Sequence, residues 1–271
     1  MSAMVRFHLG TALRGRASLA ALAGFALASA VVAIVGLGSF RQLGLRAVSP
    51  TAASIVNLAL LLPTAQAAVL GALTVTTGRE GGLYAMLRGR GMGEASLVVS
   101  TWLAVTIAGA LTLVAGFAAV ALVLAGNVPL GDMPVFLALL AVMVAAAGSA
   151  AAVGILVGAL VRARLQAALV ALGVWFLLAV GLDLVVVGLG VILRAGEPAL
   201  LAATLGNPLQ AARVLSFLVI DAEGGVLGPL GTYLDVRLGR DPAIAVLAVA
   251  LATWCAAPAF LAARALRRRD L

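Results

Sequence analysis

The sequence predicts an all-α integral membrane protein of six transmembrane helices with N- and C-termini in the cytoplasm, and three observations carry that prediction. Hydrophobic residues make up 64% of the 271 positions and charged residues only 10%, with a mean hydropathy of +1.20, whereas a soluble domain is about a quarter charged. The apolar residues gather into several long runs, and about twenty residues of helix cross a hydrocarbon core of about 30 Å. Alternation at period two, the mark of an outer-membrane barrel strand, is absent from those runs.

Taken in order, residues 1–17 place Arg6, Arg14 and Arg16 among Val5, Phe7, Leu9 and Leu13. That pattern suits a short amphipathic helix on the membrane surface, and equally a frayed tail. The first span is expected at about 18–39. It is too long for a signal-peptide core, although Ala28-Ser29-Ala30 imitates a cleavage site, so it is read as retained. The second span, at about 52–76, contains Pro63, which removes the bond to the carbonyl of Ala59 and is expected to kink the helix. A polar segment over 78–94 follows. The third span, at about 97–124, leads through a turn with Gly126, Asn127, Pro129, Gly131 and Pro134 into the fourth, at about 135–161, as an antiparallel hairpin. Arg162 and Arg164 mark a short loop before the fifth span, at about 166–193. Residues 194–242 mix Gly, Pro, Asn and acidic residues with two apolar pieces, 200–205 and 214–220, that are too short to cross the bilayer and read as re-entrant or interfacial helices. The sixth span, at about 243–263, closes on Arg264, Arg267, Arg268 and Arg269. The whole chain, 1–271, thus reads as one transmembrane domain.

The net charge of +8 would suggest nucleic acid in a soluble protein, but here it sits at the ends of apolar runs and reads as a topology signal. Placing the N-terminus inside gathers the arginines of the tail, the second and fourth loops and the C-terminus on the cytoplasmic side, against Arg41 and Arg46 in the one short outer loop that carries any. The long fifth loop carries arginines too, offset by five acidic residues. Every basic residue is arginine. A phosphate-binding loop needs a lysine to reach the β- and γ-phosphates, so a standard ATPase site is excluded. The single cysteine, Cys255, lies in an apolar run, and His8 reads as a lone surface residue. No disulfide framework, Cys/His metal cluster or methionine array for copper is present, so no catalytic, metal or cofactor-binding residue is assigned and no cofactor is expected.

Four groups of residues are candidates for function. Gly78 to Arg90 is the most polar cytoplasmic stretch; it opens with the pair Arg79-Glu80, and Gly81 and Gly82 permit a sharp break before a short helix from Leu83 to Arg88. Its docking residues are read as Arg79, Glu80, Gly81, Gly82, Leu83, Leu87, Arg88 and Arg90, with an ordinary topology-setting loop as the plain alternative. Asp183 is the ionisable residue deep in the fifth span, where a carboxylate costs at least a few kcal/mol unless it faces the bundle, a wet cavity or a proton. It is either on a transport path or a helix-helix hydrogen bond. Asn57 and Gln66, nine apart in the second span, are read as facing a shared polar path or as interhelical hydrogen-bonders. Ala146, Ala150, Gly154 and Gly158 recur at spacing four and make a close-packing face whose partner is either the same chain or a second copy.

The order of parts resembles the type-2 ABC exporter permeases (ABC-2, type V exporter-like architecture). A basic N-terminal segment, six spans, a charged cytoplasmic helix after the second and re-entrant helices before the sixth all recur, and Glu80-Gly81-Gly82 is similar to the signature of that family's coupling helix. The chain departs from the usual proline after that helix and Gly-Lys pair before span three, having Leu87-Arg88-Gly89-Arg90-Gly91 and Gly93-Glu94. Within the family, the stretch from Ala171 to Leu184 and the run Gly206-Asn207-Pro208-Leu209-Gln210-Ala211-Ala212-Arg213-Val214-Leu215 resemble the NosY type, the permeases of the system that matures nitrous oxide reductase. The resemblance implies a multi-pass protein of the bacterial cytoplasmic (inner) membrane that pairs with a second copy of itself. Two copies of a cytoplasmic ABC ATPase would drive it. A periplasmic assembly protein would be seated on the outer loops, with Asn207, Pro208 and Arg213 as contacts. It further implies a role in copper-centre assembly, with a sulfur species or copper as cargo. Alternatives are export of a drug, lipid or polysaccharide, and a membrane scaffold for a periplasmic assembly factor; a secondary transporter would need coupling carboxylates beyond Asp183.

Overall fold

In lipid, a continuous helix satisfies each backbone N–H and C=O within its own segment, so long apolar runs without turn residues become helices. The computed structural model describes residues 2–37, 50–125, 133–182, 196–220, 231 and 233–268. Among them six helices are long and apolar enough to cross a membrane. A leading helix α1 (Ser2–Arg14) precedes the first span, α2 (Arg16–Val35). The second span is α3 (Pro50–Glu80), followed by the short α4 (Leu83–Gly89). Spans three and four are α5 (Glu94–Leu124) and α6 (Met133–Leu160). The fifth is α7 (Arg164–Phe176), which widens into a π-helical turn over Leu177–Gly181. Two short helices, α8 (Glu197–Leu205) and α9 (Pro208–Ile220), precede a π-helical segment at Tyr233–Leu238 and the sixth span, α10 (Arg240–Arg267).

Several spans outrun the limits expected from hydropathy, because their helices continue into polar turns: α3 ends on Arg79-Glu80, α5 begins at Glu94, and α10 runs from Arg240 to Arg267. Residues 38–39 of the expected first span, 126–132 of the third-to-fourth turn and 183–193 of the expected fifth span, Asp183 included, lie outside the described residues.

The spine of the bundle is the pair α3 and α6. A Cβ on Gly154 would collide with the backbone of Ala68, one on Gly158 would lie 2.5 Å from the carbonyl oxygen of Ala72, and one on Gly71 would lie 2.7 Å from that of Ala151. The small-residue face of the fourth span is therefore filled by the second span of the same chain, with backbones in direct contact. Around this spine α2 packs on α5, α7 on α3 and α10 on α6. α3 runs through Pro63 as one helix; next to it the Thr64 hydroxyl donates to the carbonyl of Leu60 and accepts the indole N–H of Trp175 at 3.0 Å. The other two tryptophans also tie helices together: Trp102 Nε1 donates to the Gly148 carbonyl at 2.8 Å and Trp254 Nε1 to that of Leu205 at 3.0 Å.

One open alternative is decided here and one expectation is corrected. The first residues form a helix rather than a frayed tail, and α1 packs along α5 with Met4 and His8 buried at spacing four while Arg6 and Phe7 face outward. His8 is therefore not a surface residue; it is 3% exposed, and burial lowers its pKa from 6.5.

The helices α8 and α9 form a hairpin. Its tip is fixed by Trp254, which lies near the middle of α10, roughly 20 Å from either end at 1.5 Å per residue. The far end of α9 meets the start of α10, where Arg240 Nη2 donates to the carbonyl of Leu218 at 3.0 Å. α9 thus runs from the N-terminal end of the sixth span to its midpoint, packed against α6 and α10.

Candidate functional site: the basic end of the bundle

At the end of the bundle opposite the hairpin's mouth, α1, α3, α4, α5, α6 and α10 close over one apolar cluster made by Met4, Val75, Tyr84, Leu97, Ile155 and Leu266, among others. α4 is the outermost layer of this cluster. It is bracketed by Gly82 at φ 68° and Gly91 at φ 83°, left-handed conformations that side chains resist, so the chain reverses sharply on both sides of a seven-residue helix. Tyr84 points inward at 1% exposure, its hydroxyl 3.2 Å from Thr101 Oγ1, and burial raises its pKa. Its ring occupies the space where a Cβ on Gly78 would stand, which locks α4 against the end of α3. Leu83 and Leu87 are half-buried against the same cluster, and Arg88 pairs with Glu94 at 3.0 Å, closing the turn into α5.

The adjacent charges Arg79 and Glu80 reach sideways to the junction of spans four and five. Arg79 Nη1 donates to the carbonyls of Val161 at 2.9 Å, Gly158 at 3.1 Å and Ala159 at 3.4 Å, the unpaired acceptors at the C-terminus of α6. Glu80 pairs with Arg164 Nε at 2.8 Å and accepts the Arg164 backbone N–H at 3.3 Å, at the first residue of α7. Each charge meets the helix terminus of opposite partial sign, cation at a C-terminus and anion at an N-terminus. The end of the second span is thereby clasped to the ends of two others.

This sorts the sequence-derived candidates. Arg79 is engaged inside the fold, and Glu80 and Arg88 are held in ion pairs. Gly81, Gly82 and Arg90 are exposed, as is Met86 at 49%, a residue that no sequence signal marks. Tyr84 and Arg164 were also not singled out, although an opposite-charge pair at one helix end and an arginine at the start of another were visible signals. Asn57 and Gln66 do not share a face: nine residues at 100° each put them half a turn apart on the continuous helix α3, flanking its buried stripe from opposite sides. The Gln66 Oε1 atom is buried with no hydrogen-bond partner among the described residues. Asn207 is 0% exposed and Pro208 is buried, so neither offers a surface to a partner protein. Asn207 instead caps α9, accepting the N–H of Leu209 at 3.0 Å, and donates to the Leu178 carbonyl in the π turn of the fifth span at 2.6 Å. Arg213 bonds Gln210 at 3.0 Å one turn further along α9.

No family model matches the chain. It is 30% identical over 280 aligned residues to the probable ABC transporter permease protein NosY of Pseudomonas aeruginosa, covering 99% of this chain and 98% of the relative. The chain belongs to the NosY family of ABC transporter permeases. A second relative, the probable NosY of Stutzerimonas stutzeri, is 29% identical with 98% of this chain and 97% of that one aligned. End-to-end coverage means that α1, the clasp segment and the α8–α9 hairpin all fall within the aligned length. The NosY-type chain is thus a multi-pass membrane permease subunit, and its basic end and hairpin are parts of a transporter.

Proposed function

We propose that this permease is the membrane half of an ATP-driven transporter that supports copper-centre assembly of periplasmic nitrous oxide reductase, moving a sulfur species or copper. Its basic end faces the cytoplasm of the bacterial inner membrane, in keeping with the arginine bias of the short loops. Two ATPase subunits seat on α4 of a homodimer, and a periplasmic assembly protein sits over the opposite end. The observation that carries this reading is the clasp: force applied to α4 passes through Tyr84 into the core and through Arg79 and Glu80 into the ends of α6 and α7. In this scheme Met86, Gly89 and Arg90 are the surface that meets the ATPase, while Arg79 and Glu80 transmit its movement. Driving from outside is needed because the chain carries no lysine for a phosphate-binding loop of its own.

Affinity purification from detergent with mass spectrometry tests the partner, and paired variants test the roles. Met86→Asp is expected to lose the P-loop ATPase from the complex. Arg79→Ala/Glu80→Ala is expected to retain the ATPase but lose the coupling of its hydrolysis to transport. A purified complex without any P-loop ATPase, or a double variant with full coupling, overturns the reading.

A further inference from the structure

A groove of about 760 Å³ runs along the outside of the bundle between α5, α6 and α10. It is nearly all apolar, and it exists because the helices that border it carry little side-chain volume there: Ala145 and Gly148 on α6, and Ala252 and Ala256 on α10. Trp102 wedges α5 against α6 and keeps the slot open from behind. On α10 the apolar lining spans Ala252 to Ala263, about 16 Å at 1.5 Å per residue. One leaflet of a bilayer core is about 15 Å deep.

The groove does not end in solvent. A second cavity of about 470 Å³ shares Ala95, Phe260 and Ala263 with it and is walled by Arg264, Arg267 and Arg268. All three arginines are exposed, and among the described residues no acidic side chain pairs with them. They stand on the turn that follows the apolar lining, at headgroup depth for a chain lying in the slot.

We propose that this groove binds one anionic phospholipid of the leaflet at the basic end, an acyl chain lying along Ala252 to Ala263 and the phosphate held by Arg264, Arg267 and Arg268. Three observations select that occupant: the slot's length matches one leaflet, its lining is apolar apart from Thr106 and Cys255, and no described acidic side chain pairs with the arginines of its mouth. A separate apolar face is left for a second copy of the chain on α7, where Leu165, Leu169 and Phe176 project at 57–72% exposure. The competing view is that the arginines act only in setting orientation.

The full chain, purified in detergent and stripped of lipid, is examined by native mass spectrometry with added phosphatidylglycerol or phosphatidylcholine, and its thermal stability is followed in parallel. One lipid is expected to be retained per chain, phosphatidylglycerol in preference. Arg264→Gln/Arg267→Gln leaves Arg268 and Arg269 to maintain orientation and is expected to reduce that preference about fivefold per arginine. Ala252→Leu/Ala256→Leu fills the slot and is expected to lose both lipids with helicity and oligomeric state unchanged. Should the leucine variant fail to fold, the arginine variant decides alone. Equal retention of the two lipids, stabilisation by inorganic phosphate alone, an arginine variant identical to the parent, or a filled groove that dissociates an oligomer each overturns the proposal.

Discussion

Arg79 and Glu80 are neighbours in sequence and both are charged, yet their replacement by alanine is expected to have very different costs. Arg79 Nη1 is shared among three carbonyls at 2.9, 3.1 and 3.4 Å. A hydrogen bond to a charged group contributes about 1.5–3 kcal/mol, and one nitrogen cannot satisfy three acceptors fully, so two effective bonds and partial rehydration of the freed carbonyls give about 2–4 kcal/mol. The favourable position of a cation at the C-terminus of α6 is part of that figure. Glu80 and Arg164, by contrast, are 41% and 53% exposed, and pairs of that kind contribute about 0–1 kcal/mol. Against a total stability of about 5–15 kcal/mol, Arg79→Ala should shift equilibrium unfolding visibly and Glu80→Ala barely. Unfolding of the detergent-purified chain, followed by loss of helicity, is the assay. Arg79→Lys keeps the charge without the planar fork and should recover about half of the loss. The reasoning fails if Glu80→Ala costs as much as Arg79→Ala, or if lysine restores the parent stability completely.

Two further perturbations probe other parts of the fold. Gly154→Leu forces α3 and α6 apart, because the position of its Cβ is already occupied by the Ala68 backbone; the chain should insert but fail to assemble, seen as rapid proteolysis of an otherwise membrane-integrated product. Burial holds the His8 pKa below 6.5, so the detached form of α1 takes up a proton more readily than the docked form as pH falls below that value. Docking should therefore be constant above pH 6.5 and weaken below it, which a spin label at Thr11 would report as rising mobility. His8→Leu should abolish the dependence.

Much of the architecture was legible from residue order. Six spans follow from apolar runs, since a segment in lipid must satisfy its own backbone, and the reversal around Leu83–Gly89 is written in Gly82 and Gly91, whose positive φ few other residues accept. The close face of the fourth span was legible as well, but not its partner. Spacing along one helix does not say which backbone lies opposite, and only the structure places Ala68 and Ala72 against Gly154 and Gly158. The site was less legible. Arg79 looked like a docking residue because its acceptors, at Gly158 to Val161, lie about eighty residues away in sequence. Asn207 looked like an outer-loop contact because two short helices joined at Gly206-Asn207 have the composition of a loop with apolar pieces in it.

The sequence by itself determined the membrane class, the number of spans, the basic end and the absence of a lysine-based phosphate loop, all of which depend on local composition. Tertiary structure decided which apolar faces meet protein within the chain, where the hairpin's tip lies, and that Arg79 and Glu80 clasp two helix ends. The reason is physical: lipid tails are as apolar as leucine, so hydrophobicity carries no sign of a helix's buried side. Partners there are chosen by shape and by unpaired backbone groups, and both arise only when distant segments come together.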